Sequence, residues 1–319
     1  MTAIDLSSED MRDVFFDRLY DMVSEDERIV ILTIDHAAFS LEKLKKDFPK
    51  QYIDTSIAEQ NTIGLAAGLA LSGKIVFVYG IAPFVSLRVL EQITLDVAAM
   101  KLQVNIISVG AGFTYSTDGP SHQGVQDLQA VLTVPNISVF NSSDPLTTRA
   151  FAEIAAKVPG PKYIRIEKGK LNPLLNDMSH DYSYGTVRIR DGNELVIISS
   201  GSILHEAITA SKFIEKKTGL KVGIVDLYRI KPLPDIHLIA LLKDAEKIVT
   251  LEEGLLIGGI GQVVGNFLLE NKIFLPFLRI GLEDSFCFEA GDRNWMKDRY
   301  GLSALQIQKK ISLWLSKNN

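Results

Sequence analysis

Short apolar runs of β-forming residues alternate with longer helical patterns along nearly the whole chain, and this alternation limits the fold more than any other feature. Strand candidates in the first half lie at 28–34, 75–79, 104–109, 137–140 and 163–167, with helical patterns at 11–23, 58–71, 85–100 and 146–157. Near-continuous apolar strands spaced by helices have no face to offer to water, so they predict a parallel sheet covered on both sides. The periodicity lapses around 168–184, where Gly169, Asn172, Pro173, Asn176 and Ser179 read as linker chemistry. It restarts with strands at 195–200, 221–227, 248–252 and 277–282 and helices at 204–217, 233–243, 262–270 and 304–316. The expected architecture is α/β, with two doubly wound domains at 1–170 and 188–319 joined by a linker at 171–187.

A chain of 319 residues, 46% hydrophobic, can bury two cores. Its net charge of −5 is spread over interspersed acids and bases, so no basic stripe invites nucleic acid. No stretch reaches the roughly 20 apolar residues of a membrane span, and residues 1–13 have no apolar run of the signal-peptide kind. The single cysteine, Cys287, excludes an intrachain disulfide framework and a multi-cysteine zinc site, and reads as a small buried hydrophobe. These features predict a soluble protein of the reducing cytoplasm. Gly258-Gly259-Ile260-Gly261 with Gly265 misses the dinucleotide fingerprint by one position and reads as a tight turn into a helix.

Two segments carry possible chemistry. In Ser56-Ile57-Ala58-Glu59, the glutamate opens a helix and is either half of a capping box with Ser56 or an acid aimed into a site. Gly64, Ala66, Ala67, Gly68 and Ala70 give that helix a flat, small-residue face of the kind found at interfaces. The second segment, 110–124, follows a strand, and in a parallel sheet ligands gather at the carboxyl ends of strands. Its Asp118-Gly119-Pro120-Ser121-His122 sets a carboxylate and an imidazole four residues apart.

The stretches 57–72 (IAEQNTIGLAAGLALS), 78–92 (VYGIAPFVSLRVLEQ), 118–123 (DGPSHQ), 226–233 (DLYRIKPL) and 252–261 (EEGLLIGGIG), in this order, resemble the C-terminal half of a transketolase. The resemblance implies a thiamine diphosphate pyrimidine-binding domain followed by a transketolase C-terminal domain. It implies transfer of a two-carbon ketol unit from a ketose donor to an aldose acceptor. In that family the diphosphate and Mg²⁺ are held by a separate first domain through a G-D-G…N motif, whereas here Gly291-Asp292 is followed by Arg293. A diphosphate-binding N-terminal partner chain is therefore expected, with two copies of each in an α2β2 heterotetramer, and no metal ligand in this chain.

By the same resemblance Glu59 is the acid that hydrogen-bonds the pyrimidine nitrogen and promotes the imino form, with Phe84 stacking on the ring. Ile81, Leu87 and Asp35 complete the expected cofactor slot, which is more aliphatic than is usual because Ile81 and Leu87 stand where many transketolases carry aromatics. Asp118 and His122 are expected on the donor hydroxyls, His122 among the catalytic residues, and Arg165 and Arg12 near the family's phosphate-binding arginines. The segment Asp35-His36-Ala37-Ala38-Phe39 departs from the polar stretch that holds the acceptor phosphate, so a modified sugar, with His36 among its contacts, is the alternative to a pentose phosphate. Other readings are a 1-deoxyxylulose-phosphate-synthase-like enzyme, a 2-oxoacid dehydrogenase β subunit, and a non-catalytic scaffold. The C-terminal domain is expected to be structural, and His180, His205 and His237 to be surface residues.

Overall fold

The computed structural model describes residues 9–35, 38–175 and 180–317. Asp10 opens the first helix, its carboxylate accepting the Arg12 backbone N–H, and α1 (Met11–Glu25) follows. The chain continues through β1 (Ile29–Thr33), α2 (Phe39–Asp47), β2 (Tyr52–Asp54), α3 (Glu59–Leu71), β3 (Ile75–Ile81), a short α4 (Leu90–Gln92) running into a π-helix (Ile93–Ala98), and β4 (Val104–Val109). After the 110–124 loop come α5 (Asp127–Leu132), β5 (Ser138–Asn141), α6 (Pro145–Lys157) and β6 (Lys162–Ile166).

The second half comprises β7 (Val187–Arg190), β8 (Leu195–Ser199), α7 (Leu204–Thr218), β9 (Val222–Asp226), β10 (Arg229–Lys231), α8 (Asp235–Leu242), β11 (Ile248–Leu255), α9 (Ile260–Glu270), β12 (Phe277–Leu282), α10 (Arg293–Arg299) and α11 (Ala304–Lys317).

Two sheets result, of seven strands in the order β10-β5-β6-β4-β3-β1-β2 and of five in the order β12-β11-β8-β9-β7. Each is parallel apart from an antiparallel edge strand, β10 or β7. In β3 the alternation of side chains assigns the two faces: Phe77 and Tyr79 pack with Phe15, Phe16 and Leu19 of α1, and Val76 and Val78 with Ile63, Ala66 and Ala67 of α3. The α3 side runs without a break into the second half, where Val196, Ile198, Leu238 and Val264 belong to the same apolar cluster. Both expected doubly wound α/β units are present.

Three departures from the sequence expectation have physical causes. Residues 85–100 do not form one α-helix: turns run up to Val89, α geometry holds only over Leu90–Gln92 and a π-helix follows, and the hydroxyls of Ser86 and Thr94 bond the carbonyls of Ala82 and Leu90 four residues back, which bends the regular ladder. Residues 229–231, expected inside the second domain, leave it to pair with β5 and close the edge of the first sheet. The helices α2, α5 and α10 and the strand β2 carry too few buried apolar residues for periodicity to reveal them.

Candidate active site

Glu59 is the first residue of α3, yet only 5% exposed. The capping-box alternative does not hold: the N-cap position is Ala58, no side chain caps the helix, and Ser56 stands outside it with a left-handed φ of 54°. The turn is instead fastened by Thr55, whose hydroxyl bonds the Thr33 carbonyl at the end of β1 and lies 2.7 Å from the Thr62 hydroxyl. Placed this way, the carboxylate sits at the positive end of a helix and faces inward.

It faces a cavity of about 340 Å³ lined by Ile34, Asp35, Ile57, Gly80, Ile81, Phe84, Val85 and Arg88. The cavity lies past the carboxyl ends of β1 and β3, where the strand order reverses, as expected for a doubly wound sheet. Gly80 is needed there, since a Cβ would come within 2.6 Å of Val85 Cγ1. The irregular segment after β3 swings Phe84 and Arg88 over the opening.

Arg88 was not legible in the sequence. Its Nη1 lies 2.5 Å from Glu59 Oε1, and its guanidinium carbon sits 4.0 Å from the centre of the Phe84 ring. One half-exposed arginine thus occupies both the acid and the aromatic face of the slot. The nearest hint was its position four residues after Phe84, meaningful only once the turn is known to be compact.

The second segment meets the first. The His122 ring stands edge-on to Phe84 at 5.0 Å between centroids, with Nδ1 3.0 Å from the Ser121 hydroxyl. Asp118 closes one single-turn 3₁₀ helix (Ser116–Asp118) and His122 the next (Pro120–His122), with Gly119 between them at a φ of 81°. Asp118 is exposed and Asp35 stands at the cavity mouth, also exposed. Glu59, Ile81, Phe84, Asp35 and His122 are therefore gathered around one opening, with Asp118 on the loop that borders it.

Other expected site residues fall elsewhere. Leu87 is 40% exposed and outside the cavity lining, its place taken by Val85. Arg165 is turned into the protein: it is 4% exposed, with Nη1 3.0 Å from Asp127 Oδ1 and Nε 3.0 Å from Asn141 Oδ1. Arg12 is held by Asp10 through paired 2.9 Å contacts. The bond to Asp10 raises its pKa above the usual range against the opposing cost of burial, and the neighbouring Tyr79 and Tyr115 add to the rise. His36 lies outside the described residues. Of the histidines expected at the surface, His205 is partly buried beside the Ser143 carbonyl at 3.1 Å, and burial lowers its pKa. Among the described residues no group of three or more His, Cys, Asp or Glu side chains is placed to hold a metal ion, and no helix is long and apolar enough to cross a membrane.

Residues 7–173 match the family described as transketolase, pyrimidine binding domain, and residues 185–307 the one described as transketolase, C-terminal domain. The chain belongs to the transketolase family. It is 33% identical to a putative transketolase C-terminal section of Methanocaldococcus jannaschii, over 94% of this chain and 95% of that one. It is 31% identical to the 6-deoxy-6-sulfo-D-fructose transketolase subunit SqwH of Clostridium sp. (strain MSTE9), over 93% and 92% of the two chains. A solved structure titled split gene transketolase, inactive beta4 tetramer, matches with a TM-score of 0.85 at 29% identity, covering 96% of this chain and 98% of that one. The chain is thus a transketolase-type transferase component carrying the pyrimidine-binding and C-terminal domains of a thiamine diphosphate-dependent family.

Proposed function

We propose that this chain is the C-terminal subunit of a two-part transketolase, completed by an N-terminal subunit that binds the diphosphate and Mg²⁺, and that it moves a two-carbon ketol unit from a ketose to an aldose. The observation that carries the reading is the buried Glu59 carboxylate in an otherwise largely apolar cavity, with Phe84 on its wall and His122 against that ring. An aminopyrimidine needs this combination of one desolvated acid and one aromatic face, so the residues fit the cofactor. The separate-subunit reading is supported by the relatives named C-terminal section and subunit, which the chain spans over 95% and 92% of their length.

Thiamine diphosphate, when bound, supplies the carbon nucleophile that accepts the ketol unit. The chain's own residues do the rest of the work on this side of the site. With the pyrimidine bound, Glu59 would hold a proton toward a ring nitrogen, Phe84, Ile81 and Val85 would keep water from it, and Arg88 would have to release the carboxylate it now holds. Asp118 and His122 orient the donor hydroxyls, and buried polar contacts of this kind reject a substrate lacking the matching group. Asp35 and the 87% exposed Phe39 are assigned to the acceptor side, while the sugar in the name of the Clostridium relative, 6-deoxy-6-sulfo-D-fructose, is a ketose and so supports a modified sugar in the donor role. Two copies meeting along α3, each with its partner, give the α2β2 assembly.

The test is Glu59→Gln in the reconstituted complex. Loss of a proton relay costs about 10²–10⁴-fold in turnover, while the variant should fold as the parent does. A variant that kept more than about a tenth of the parent rate would end the assignment, and CO₂ release from pyruvate would point instead to the synthase or the 2-oxoacid dehydrogenase reading.

A further inference from the structure

The loop that carries Asp118 and His122 has little structure of its own. Its neck is closed by a pair of backbone hydrogen bonds between Gly112 and Gly124 at 2.8 and 2.9 Å, and inside the neck lie only the two single-turn 3₁₀ helices. Arg165 and Lys168 of the same half hold it at the Gly124 carbonyl and the Tyr115 ring, and the other half of the chain grips it as well. Glu253 Oε1 accepts the Phe113 N–H at 2.9 Å, the Ser116 hydroxyl donates to the Gly291 carbonyl at 2.6 Å, and Gln123 Nε2 donates to the Cys287 carbonyl at 3.1 Å. The Phe113 ring packs at 5.4 Å from that of Tyr300.

The contacts converge on Arg293. Its Nη2 lies 2.7 Å from Glu253 Oε2 and 2.8 Å from Glu167 Oε2, and also reaches the Ala111 carbonyl at 3.3 Å and the Ser202 hydroxyl at 2.8 Å. Both carboxylates are buried, with side chains 2% and 3% exposed, so a single cation offsets two desolvated charges from opposite domains. Glu167 in turn accepts the Thr114 hydroxyl of the loop. At Gly112, with a φ of 57°, an added Cβ would stand 2.3 Å from Glu253 Cδ, so neck and carboxylate are already in contact.

We propose that the C-terminal domain, through Arg293, Glu253 and the Gly291 carbonyl, is the positioning element of the Asp118–His122 loop and thereby sets the affinity for the donor sugar. The second clause rests on the function proposed above, whereas the first stands on geometry alone. Domain glue without a positioning role would stabilise the chain as a whole; a positioning role confines its effect to the loop and to the ligand the loop meets.

The experiment compares Arg293→Met, Arg293→Lys and Ser116→Ala, the last of which removes only the hydroxyl anchor to Gly291 and keeps the test intact if Arg293→Met fails to fold. Hydrogen exchange on the full chain should show amides of 113–123 exchanging about tenfold or more faster in Ser116→Ala and Arg293→Met, with α3 unchanged and Arg293→Lys in between. In the reconstituted complex the donor KM should rise about tenfold with kcat and the thiamine diphosphate Kd within twofold of the parent. Unchanged loop exchange in Ser116→Ala, or exchange that rises equally in the loop and α3, overturns the proposal. A loosened loop with an unaltered donor KM would uphold the positioning and sink the donor-site role of the loop. An inactive parent complex would count against the function alone, since the exchange result needs no substrate.

Discussion

Glu59 and Arg165 show how much one residue's meaning depends on its surroundings. The acid was legible from its place at a helix start, but on local grounds alone a cap was the readier reading, and only the motifs further along the chain turned it toward an inward-facing acid. The fold decided between them by putting Thr55 and Thr62 in the turn and Arg88 across the cavity. Arg165 went the other way: a strand arginine that fitted a phosphate ligand instead neutralises Asp127, which is fully buried and also takes a 2.7 Å bond from the Tyr163 hydroxyl. Removing one partner of such a pair leaves an uncompensated buried charge and costs about 3–5 kcal/mol. Arg165→Met should therefore lower the free energy of urea unfolding by about that amount, whereas a surface phosphate ligand would leave stability unchanged and raise only a substrate KM.

At the scale of elements, α9 explains the glycine-rich turn that precedes it. Its first amides are taken by a carboxylate from β11, with Glu252 Oε2 2.8 Å from the Ile260 nitrogen and Oε1 3.0 Å from that of Gly261. Gly259 admits this contact, because a Cβ there would fall 2.0 Å from Glu252 Oε2. The helix start that could have cradled a phosphate is thus filled by the chain's own acid. Burial pushes the Glu252 carboxyl up from 4.5 to about 7, although the two amides pull it down. A raised acid binds its proton more tightly when folded, so this stabilisation is full below pH 4.5 and is lost as the pH rises through 7. The shift corresponds to about 3 kcal/mol. Urea midpoints followed from pH 5 to 8 should fall less steeply in Glu252→Gln than in the parent, and identical slopes would refute the assignment. Elements with strong apolar runs, such as β4 and α7, were readable in advance; the turn after β3 was not, because hydroxyl-to-carbonyl bonds rather than periodicity shape it.

For the molecule as a whole, the exposed face of α3 bears on assembly. Gly64 and Gly68 have nothing within 4 Å of a built Cβ, so the single chain has no packing use for their small size. Leu65 and Leu71 on the same helix are 38% and 62% exposed, and Ile57 just before it 71%. A helix keeps mid-helix glycines at a cost of about 1 kcal/mol each when a second backbone must come close. Gly68→Trp should keep the parent's far-UV circular dichroism yet sediment as a smaller species; an unchanged sedimentation coefficient would remove α3 from the interface. The apolar runs and their spacing pointed to two parallel sheets and to most of their buried strands, because an element with a strong apolar pattern is marked by local chemistry. The sequence also marked the acid and the Asp118–His122 loop, since residue type and position after a strand are local facts. Only the tertiary structure decided that Arg88 would close on Glu59, that Arg165 would turn inward, that residues 229–231 would cross to the other sheet, and that Arg293 would hold a loop 182 positions earlier in the chain. Each of these is a contact between residues far apart in sequence, fixed by which strand ends share an edge, and neither propensity nor periodicity encodes that.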